Sequence, residues 1–213
     1  MKTVDYSEWE VFSSRRNSVN YKNHDESLIL KTSGPECIFK LEELEIEKAT
    51  SDKVRSLGIK SPKILEIVDD GKGGYGMISE YVKGKKSIAR IVSEDPENVD
   101  EYAKKYADFL KNMHSVKCDD NLFGLLEDKV RPFFEKSLIF NDEQRRKILR
   151  LMEITENTHT CLHGDCQHGN FVLAQGEVST IDLNFFSVGN PLYENHARTS
   201  YFWIIPHNKG CLR

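Results

Sequence analysis

Hydrophobic and polar positions along the chain separate a strand-like first part from a helical remainder. Residues 1–35 are mostly polar, with one short apolar run at Leu28–Leu30. Residues 40–57 are rich in Glu, Lys and Leu and stop at Gly58, which predicts one helix ending on glycine. Pro62 opens the strand-like run Lys63–Val68. Asp69–Gly76 is a cluster of turn residues, and Met77–Val82 reads as another strand. Together these predict a small sheet carrying one helix.

From residue 95 the period changes. Asp95 can cap a helix and Pro96 suits its first position. Ala103, Tyr106, Ala107, Leu110, Met113 and His114 then recur at the i, i+3, i+4, i+7 spacing of a long amphipathic helix. A second helix is predicted from Asn141, with Asp142 and Glu143 in its first turn and Ile148, Leu149 and Met152 inward. Phe171–Leu173 and Val178–Ile181 read as two short strands around Gly176. The expected class is α+β: a β-rich part over residues 1–82, a linker near 82–95, and a mainly helical part over 83–213 that holds a small hairpin.

Composition narrows the function classes. The 213 residues are 38% hydrophobic and 30% charged, ordinary for a soluble globular protein with a core of its own. The net charge of -4, with both signs interspersed, gives no electrostatic footprint for nucleic acid. No apolar run approaches the roughly 20 residues that span a bilayer. Five cysteines (37, 118, 161, 166, 211) without a CxxC pair, and no signal-like start, fit reduced thiols. A cytoplasmic protein with no membrane or nucleic-acid partner is expected. Its oligomeric state is not legible.

The chemistry concentrates in His163-Gly164-Asp165-Cys166-Gln167-His168-Gly169-Asn170. Asp165 and Asn170 sit five positions apart on a glycine-containing loop and can point into one site. Phosphoryl transfer needs a carboxylate to orient the attacking hydroxyl and accept its proton. It also needs oxygen ligands for the Mg²⁺ that neutralises the phosphates. Asp165 suits the first task and Asn170 the second. Asp182, which follows a hairpin, can return as the main metal carboxylate.

The segment Cys161–Leu173 resembles the catalytic loop of the aminoglycoside phosphotransferase and choline kinase-like family. Val178–Tyr193, with Ile181-Asp182 and the Gly189-Asn190-Pro191 turn, resembles its metal-binding segment. The resemblance implies a protein kinase-like two-lobe fold, with a small antiparallel-sheet N-lobe carrying one helix and a mainly helical C-lobe. It also implies ATP and Mg²⁺ as cofactors and a small-molecule hydroxyl acceptor such as an aminoglycoside, a choline-like compound or a sugar. Gly58-Ile59-Lys60-Ser61-Pro62 resembles the family's link after its first helix. Met77–Gly84 resembles its hinge, which implies adenine reading by Glu80, Tyr81 and Val82. Counting back from Gly58 makes Glu47 the helix partner of the phosphate-binding lysine. Lys31 is the choice for that lysine, with Lys40 as rival. The phosphate-covering loop should lie near Ser13–Asn20, a stretch without glycine.

Other patterns point elsewhere. Gly71–Gly76 matches G-x-G-x-x-G as a string, but a strand-like run follows it where a dinucleotide site needs a helix, so it reads as a hairpin turn. Cys161, His163, Cys166 and His168 lack zinc-finger spacing. His163 is expected to brace the loop and His114 to pack. Asn184 stands where many relatives are acidic. Only 31 residues follow Asp182, so a shortened C-terminal lobe is expected, with the tail Tyr201–Arg213 as its sign, because its apolar residues Trp203, Ile204, Ile205 and Pro206 would need a partner. Two functions remain open: an active small-molecule kinase, and a catalytically silent nucleotide-binding pseudokinase or truncated fragment. A protein kinase is disfavoured, because HGD replaces HRD and no activation segment separates Asp182 from the Gly-x-Pro turn.

Overall fold

The structure is a computed structural model and describes residues 1–194, so Tyr201 and Trp203 lie outside the described residues. The chain forms two compact units. Among the described residues, the first comprises 1–87 and 172–184, and the second 88–171 and 185–194.

The first unit is built on an antiparallel sheet. Strands β1 (Trp9–Ser14), β2 (Ser18–Asn23), β3 (Leu28–Ser33), β4 (Ile64–Asp69) and β5 (Tyr75–Glu80) lie in the order β1-β2-β3-β5-β4. Cross-strand partners share a face of a sheet. Tyr21, Leu30 and Ile78 are such partners, and with Val68 they form one core. The N-terminal segment covers it through Val4, Tyr6 and Trp9, tied down by Val4 N–H to Asp69 O and Asp69 N–H to Lys2 O, both 2.9 Å. Asn20, Lys31 and Met77 are partners on the opposite face. There Met77 packs with Ile64 and with Leu44 of helix α1 (Leu41–Ser56). Helix α1 buries Leu44, Glu47, Ser51 and Val54, a helical stripe, with Glu42 and Glu43 in its first turn and Lys53 and Arg55 in its last, as its dipole favours. It stops as expected at Gly58, whose φ of 80° suits glycine. Leu30 and Val54 are fully buried, which stabilises the unit by about 1.5–3 kcal/mol each.

The glycine string starts in the turn between β4 and β5, as its context suggested, and its last two residues, Tyr75 and Gly76, already open β5. Asp70 accepts hydrogen bonds there from Lys72 N–H at 2.7 Å and Gly74 N–H at 2.9 Å. A second small sheet completes the unit: β6 (Lys86–Ser87), β8 (Phe171–Ala174) and β9 (Glu177–Thr180).

The second unit holds helices α2 (Ile88–Glu94), α3 (Val99–Ser115), α4 (Leu126–Lys136) and α5 (Asp142–Ile154). Strands β7 (Thr160–Leu162) and β10 (Ser187–Gly189) pair antiparallel within it. Leu126, Val130, Met152 and Leu162 form its core, with Ile148 and Leu149 packed against them. Asn141 caps α5 as predicted, in a reciprocal box with Gln144.

Three sequence expectations need correction. Residues 9–23 are two full strands, although their polar run hid them. The long helix starts at Val99, because Asp95 and Pro96 open a single 3-10 turn and Asp95 instead accepts from Tyr102 Oη at 2.6 Å. Cys118, Cys161 and Cys166 are free thiols, but Cys37 is disulfide-bonded, against the expectation of uniformly reduced cysteines. No helix among the described residues is long and apolar enough to cross a membrane.

Candidate active site

The first unit brings Lys31, Glu47 and Asp182 together. Lys31 points from β3 to the α1 face, with Nζ 3.7 Å from Glu47 Oε1 and 3.9 Å from Asp182 Oδ1. Glu47 is buried in an otherwise small or apolar stripe of α1, so the ion pair is what makes its position tolerable. Burial alone would lower the Lys31 pKa, but Glu47 and then Asp182 more than offset it and hold the ammonium charged. Burial pushes the Glu47 carboxyl up, and Lys31 pulls it partly back. Lys40 is placed differently: it precedes α1, exposed, with its backbone N–H donating to Glu43 Oε2 at 3.3 Å.

Asp182 has a positive φ of 62°, rare for a residue with a side chain. Asn184 Nδ2 donates to its Oδ1 at 3.0 Å and also reaches Glu47. The Asp182 carboxylate is thereby oriented through one oxygen. On the same sheet face, Asn20 is the cross-strand neighbour of Lys31, and its Nδ2 donates to Ser13 Oγ at 3.1 Å. The expected phosphate-covering stretch is the β1–β2 hairpin. Its turn is fixed by Arg15 N–H to Ser18 O and Glu36 N–H to Arg16 O, both 2.9 Å.

The hinge segment follows β5. Glu80 N–H donates to Lys63 O at 2.9 Å, and its carboxylate accepts Lys63 N–H at 2.9 Å. Tyr81 N–H donates to Ser27 O at 2.8 Å, and the Val82 carbonyl accepts Lys85 N–H at 3.1 Å. Both Glu80 and Tyr81 therefore spend their N–H groups inside the sheet. Val82 N–H has no such partner among the described residues.

The second unit brings Asp165 and Asn170 together on the loop between β7 and β8. Asp165 Oδ2 accepts from Gln167 Nε2 at 3.0 Å and from Asn170 Nδ2 at 2.9 Å. Asn170 Nδ2 also donates to the Asp165 carbonyl at 3.1 Å. This fixes which end of the Asn170 amide is which, with Oδ1 as the acceptor end. The loop is braced from beneath. His163 is fully buried, its Nδ1 accepts the Asp165 N–H at 3.2 Å, and its ring lies 5.1 Å from that of Phe171. Tyr106 of α3 stacks edge-on against Phe171 at 4.7 Å and donates from Oη to Cys166 O at 2.8 Å. His163 thus does brace the loop, as its place in the motif suggested.

Sequence reasoning missed Glu194. Its carboxylate is buried, accepts the Gly164 N–H at 2.8 Å through Oε1, and pairs with His114 Nε2 through Oε2. His114 is therefore more than a packing residue: it carries the partner of the loop's anchor. The only signal was position, three residues after Pro191. Burial alone would raise the Glu194 pKa, but His114 and the Gly164 N–H hold it below the usual carboxylate range. A depressed folded-state pKa contributes stability above the unfolded value and loses it as pH falls through the folded one. Stability should therefore decline below about pH 4, and Glu194→Gln should flatten that part of the slope and cost about 1–3 kcal/mol near neutrality. Urea melts at several pH values check this. An unchanged acid slope in the variant would remove Glu194 from the account.

The acidic and aromatic residues of the second unit outside this loop are engaged locally. Asp119 caps a 3-10 turn through Asn121 N–H at 2.8 Å, Asp120 accepts from Asn157, and Glu127 pairs with Arg131. Phe186 is core, and Tyr193 Oη lies 3.2 Å from Met152 O. Among the described residues, no three His, Cys, Asp or Glu side chains group as a metal site.

Known proteins share this fold. A family model described as the phosphotransferase enzyme family matches residues 8–196. Aminoglycoside phosphotransferase APH(3'')-Id from Streptomyces rimosus is 18% identical, with 90% of this chain and 76% of that one covered and a TM-score of 0.55. A choline/ethanolamine kinase family protein from Mesorhizobium loti is 13% identical, covering 90% of this chain and 63% of that one, with a TM-score of 0.55. A thermostable mutant of APH(4)-Ia, in ternary complex with ADP and hygromycin B, is 12% identical, covering 93% and 74%, with a TM-score of 0.65. At such identities the likeness is one of fold: a five-stranded N-terminal sheet with one helix, then a helical region. No curated protein matches the sequence.

Proposed function

The chain belongs to the phosphotransferase enzyme family, and on that premise we propose that it transfers the γ-phosphoryl group of ATP to a hydroxyl of a small molecule. The observation that carries this reading is the Asp165–Gln167–Asn170 network. It holds one carboxylate and one amide oxygen on a rigid loop, as an acid–base group beside a metal ligand requires. Asp165 orients the acceptor hydroxyl and takes its proton. Asn170 Oδ1 and the Asp182 carboxylate are hard oxygen donors that suit Mg²⁺, which two protein oxygens plus phosphates commonly hold. When bound, Mg²⁺-ATP supplies the electrophilic phosphorus and the cation that offsets its charge. Lys31, kept charged and aimed by Glu47, binds the phosphates. Val82 N–H, which makes no sheet bond among the described residues, is the hinge group that would read the base, and Glu80 and Tyr81 shape that segment through their backbone bonds to Lys63 and Ser27.

The small-molecule acceptor class rests on the relatives, whose descriptions name aminoglycosides, choline or ethanolamine, and amicoumacin. A second reading is favoured by Asn184, whose amide engages both Asp182 and Glu47: nucleotide binds, but turnover is silent. One experiment separates the two. Mg²⁺-ATP at about one hundred times its Kd should raise the melting temperature by roughly 5–10 °C, and Lys31→Ala should remove most of that rise. An acceptor panel of aminoglycosides, choline-like alcohols and sugars should yield one phosphorylated product. Stabilisation without any product supports the silent reading, and an unchanged shift in Lys31→Ala removes Lys31 from the nucleotide site.

A further inference from the structure

We propose that Cys118 and Cys161 form a reversible intramolecular disulfide, an oxidation site on the strand that leads into the catalytic loop. Both are free thiols, and their sulfurs lie 3.1 Å apart. A disulfide needs about 2.05 Å, so the sulfurs must close by roughly 1 Å. The backbone already holds them in place. Cys118 N–H donates to His159 O and Cys161 N–H to Val116 O, both at 3.1 Å, while Lys117 and Thr160 face each other in an antiparallel bridge between them. Lys117 Nζ adds bonds to Thr158 O at 2.7 Å and Thr160 Oγ1 at 2.9 Å. The two cysteines are therefore diagonal neighbours across this bridge, where Cα atoms stand about 7–8 Å apart, so closure combines side-chain rotation with a small shift of the two segments toward each other.

Access is asymmetric. Cys161 is fully buried in β7, whereas Cys118 is half-buried just after α3. Burial, and then the hydrogen bond with Cys118, pushes the Cys161 thiol up, so it stays protonated. Cys118 is the thiol that meets a solvent-borne oxidant, and Cys161 is the resolving thiol. With a hydroperoxide as oxidant, the Cys118 sulfur attacks one peroxide oxygen, the O–O bond breaks, and Cys118 becomes a sulfenic acid; for hydrogen peroxide the other oxygen takes up the proton that the Cys118 thiol gives up and leaves as water. The Cys161 sulfur then attacks the Cys118 sulfur. The S–S bond forms, the S–O bond breaks, and hydroxide leaves with the Cys161 proton as the second water. Two thiols lose two electrons in all, and the peroxide gains them. A dithiol reverses the change by exchange.

The link would join the exit of α3 to β7, two residues before His163. It needs no nucleotide, so its test is independent of the phosphotransfer reading. The full chain is treated with stoichiometric hydrogen peroxide, alkylated, digested without reduction and analysed by mass spectrometry. The expected result is a Cys118–Cys161 linked peptide, lighter by two hydrogens, in a monomeric chain and lost on dithiothreitol treatment. The oxidised protein should melt about 5–10 °C higher. Cys118→Ser should abolish both the link and the rise. Sulfinic acid on Cys118 with no link, or a link from either thiol to a different cysteine, overturns the proposal.

Discussion

Replacing Asp165 with alanine is expected to lower phosphotransfer by about 10²–10⁴-fold, the scale of losing a positioned acid–base group. Nucleotide binding should survive, because Lys31, Glu47 and the hinge lie on other elements. The loop should survive as well. Asn170 Nδ2 keeps its bond to the Asp165 backbone carbonyl at 3.1 Å, and Asp165 N–H keeps its bond to His163 Nδ1 at 3.2 Å, since neither uses the deleted carboxylate. Asp165→Asn sharpens the test. It preserves shape and one acceptor oxygen but takes no proton, so it should fall nearly as far as alanine. The measurements are initial rates of ADP formation with the identified acceptor, and ATP-dependent thermal shift. Wild-type rates in either variant would show that Asp165 does not do the acid–base work.

Gly164→Ala is expected to be the most damaging substitution in the loop for stability. Gly164 has a φ of 78°, where an L side chain is strained, and a Cβ there would fall onto the Phe185 carbonyl oxygen and 2.8 Å from Phe185 Cβ. The obstacle is mostly backbone, so no rotamer change relieves it. The loop would have to move, and its first casualty is the Gly164 N–H bond to buried Glu194 at 2.8 Å. A loss of about 2–4 kcal/mol follows from strain plus one orphaned buried group. Because Asp165 is the next residue, turnover should also fall about 10²-fold through misplacement. Gly169→Ala is the control. A Cβ at Gly169 would meet nothing within 4 Å and its φ is not positive, so it should change stability by less than about 1 kcal/mol. Urea melts of the two variants decide the matter. Equal losses would mean that the Phe185 carbonyl yields easily.

The legible parts of the fold were those with strong local signals. Gly58 ended α1 where the charged, Leu-containing run ended, and Asn141 capped α5 with Gln144 three residues on. The 69–76 cluster turned β4 into β5, because Asp and Gly residues satisfy a tight turn wherever they occur. Strands β1 and β2 were illegible for a physical reason. Their polar residues Ser13, Ser14, Asn20 and Asn23 face solvent or each other, and only Tyr21 on β2 is buried, so no alternation of apolar residues records them. Helix α4 was missed because its two buried residues, Leu126 and Val130, are too few to show a period among charges.

By itself the sequence determined the family, because the His163–Asn170 loop and the Ile181–Asp182 segment that carry the resemblance are made of residues close together in the chain whose identity is the signal. Only the tertiary structure decided the partnerships across long separations. It set Lys31, and not Lys40, against Glu47 and Asp182, because strand register alone determines which face of β3 a side chain takes. It paired His114 with Glu194 beneath Gly164, and laid Cys118 against Cys161, over 80 and 43 residues of chain. A buried carboxylate or a thiol pair has no local pattern, since its environment consists of groups that meet it only after the chain has folded.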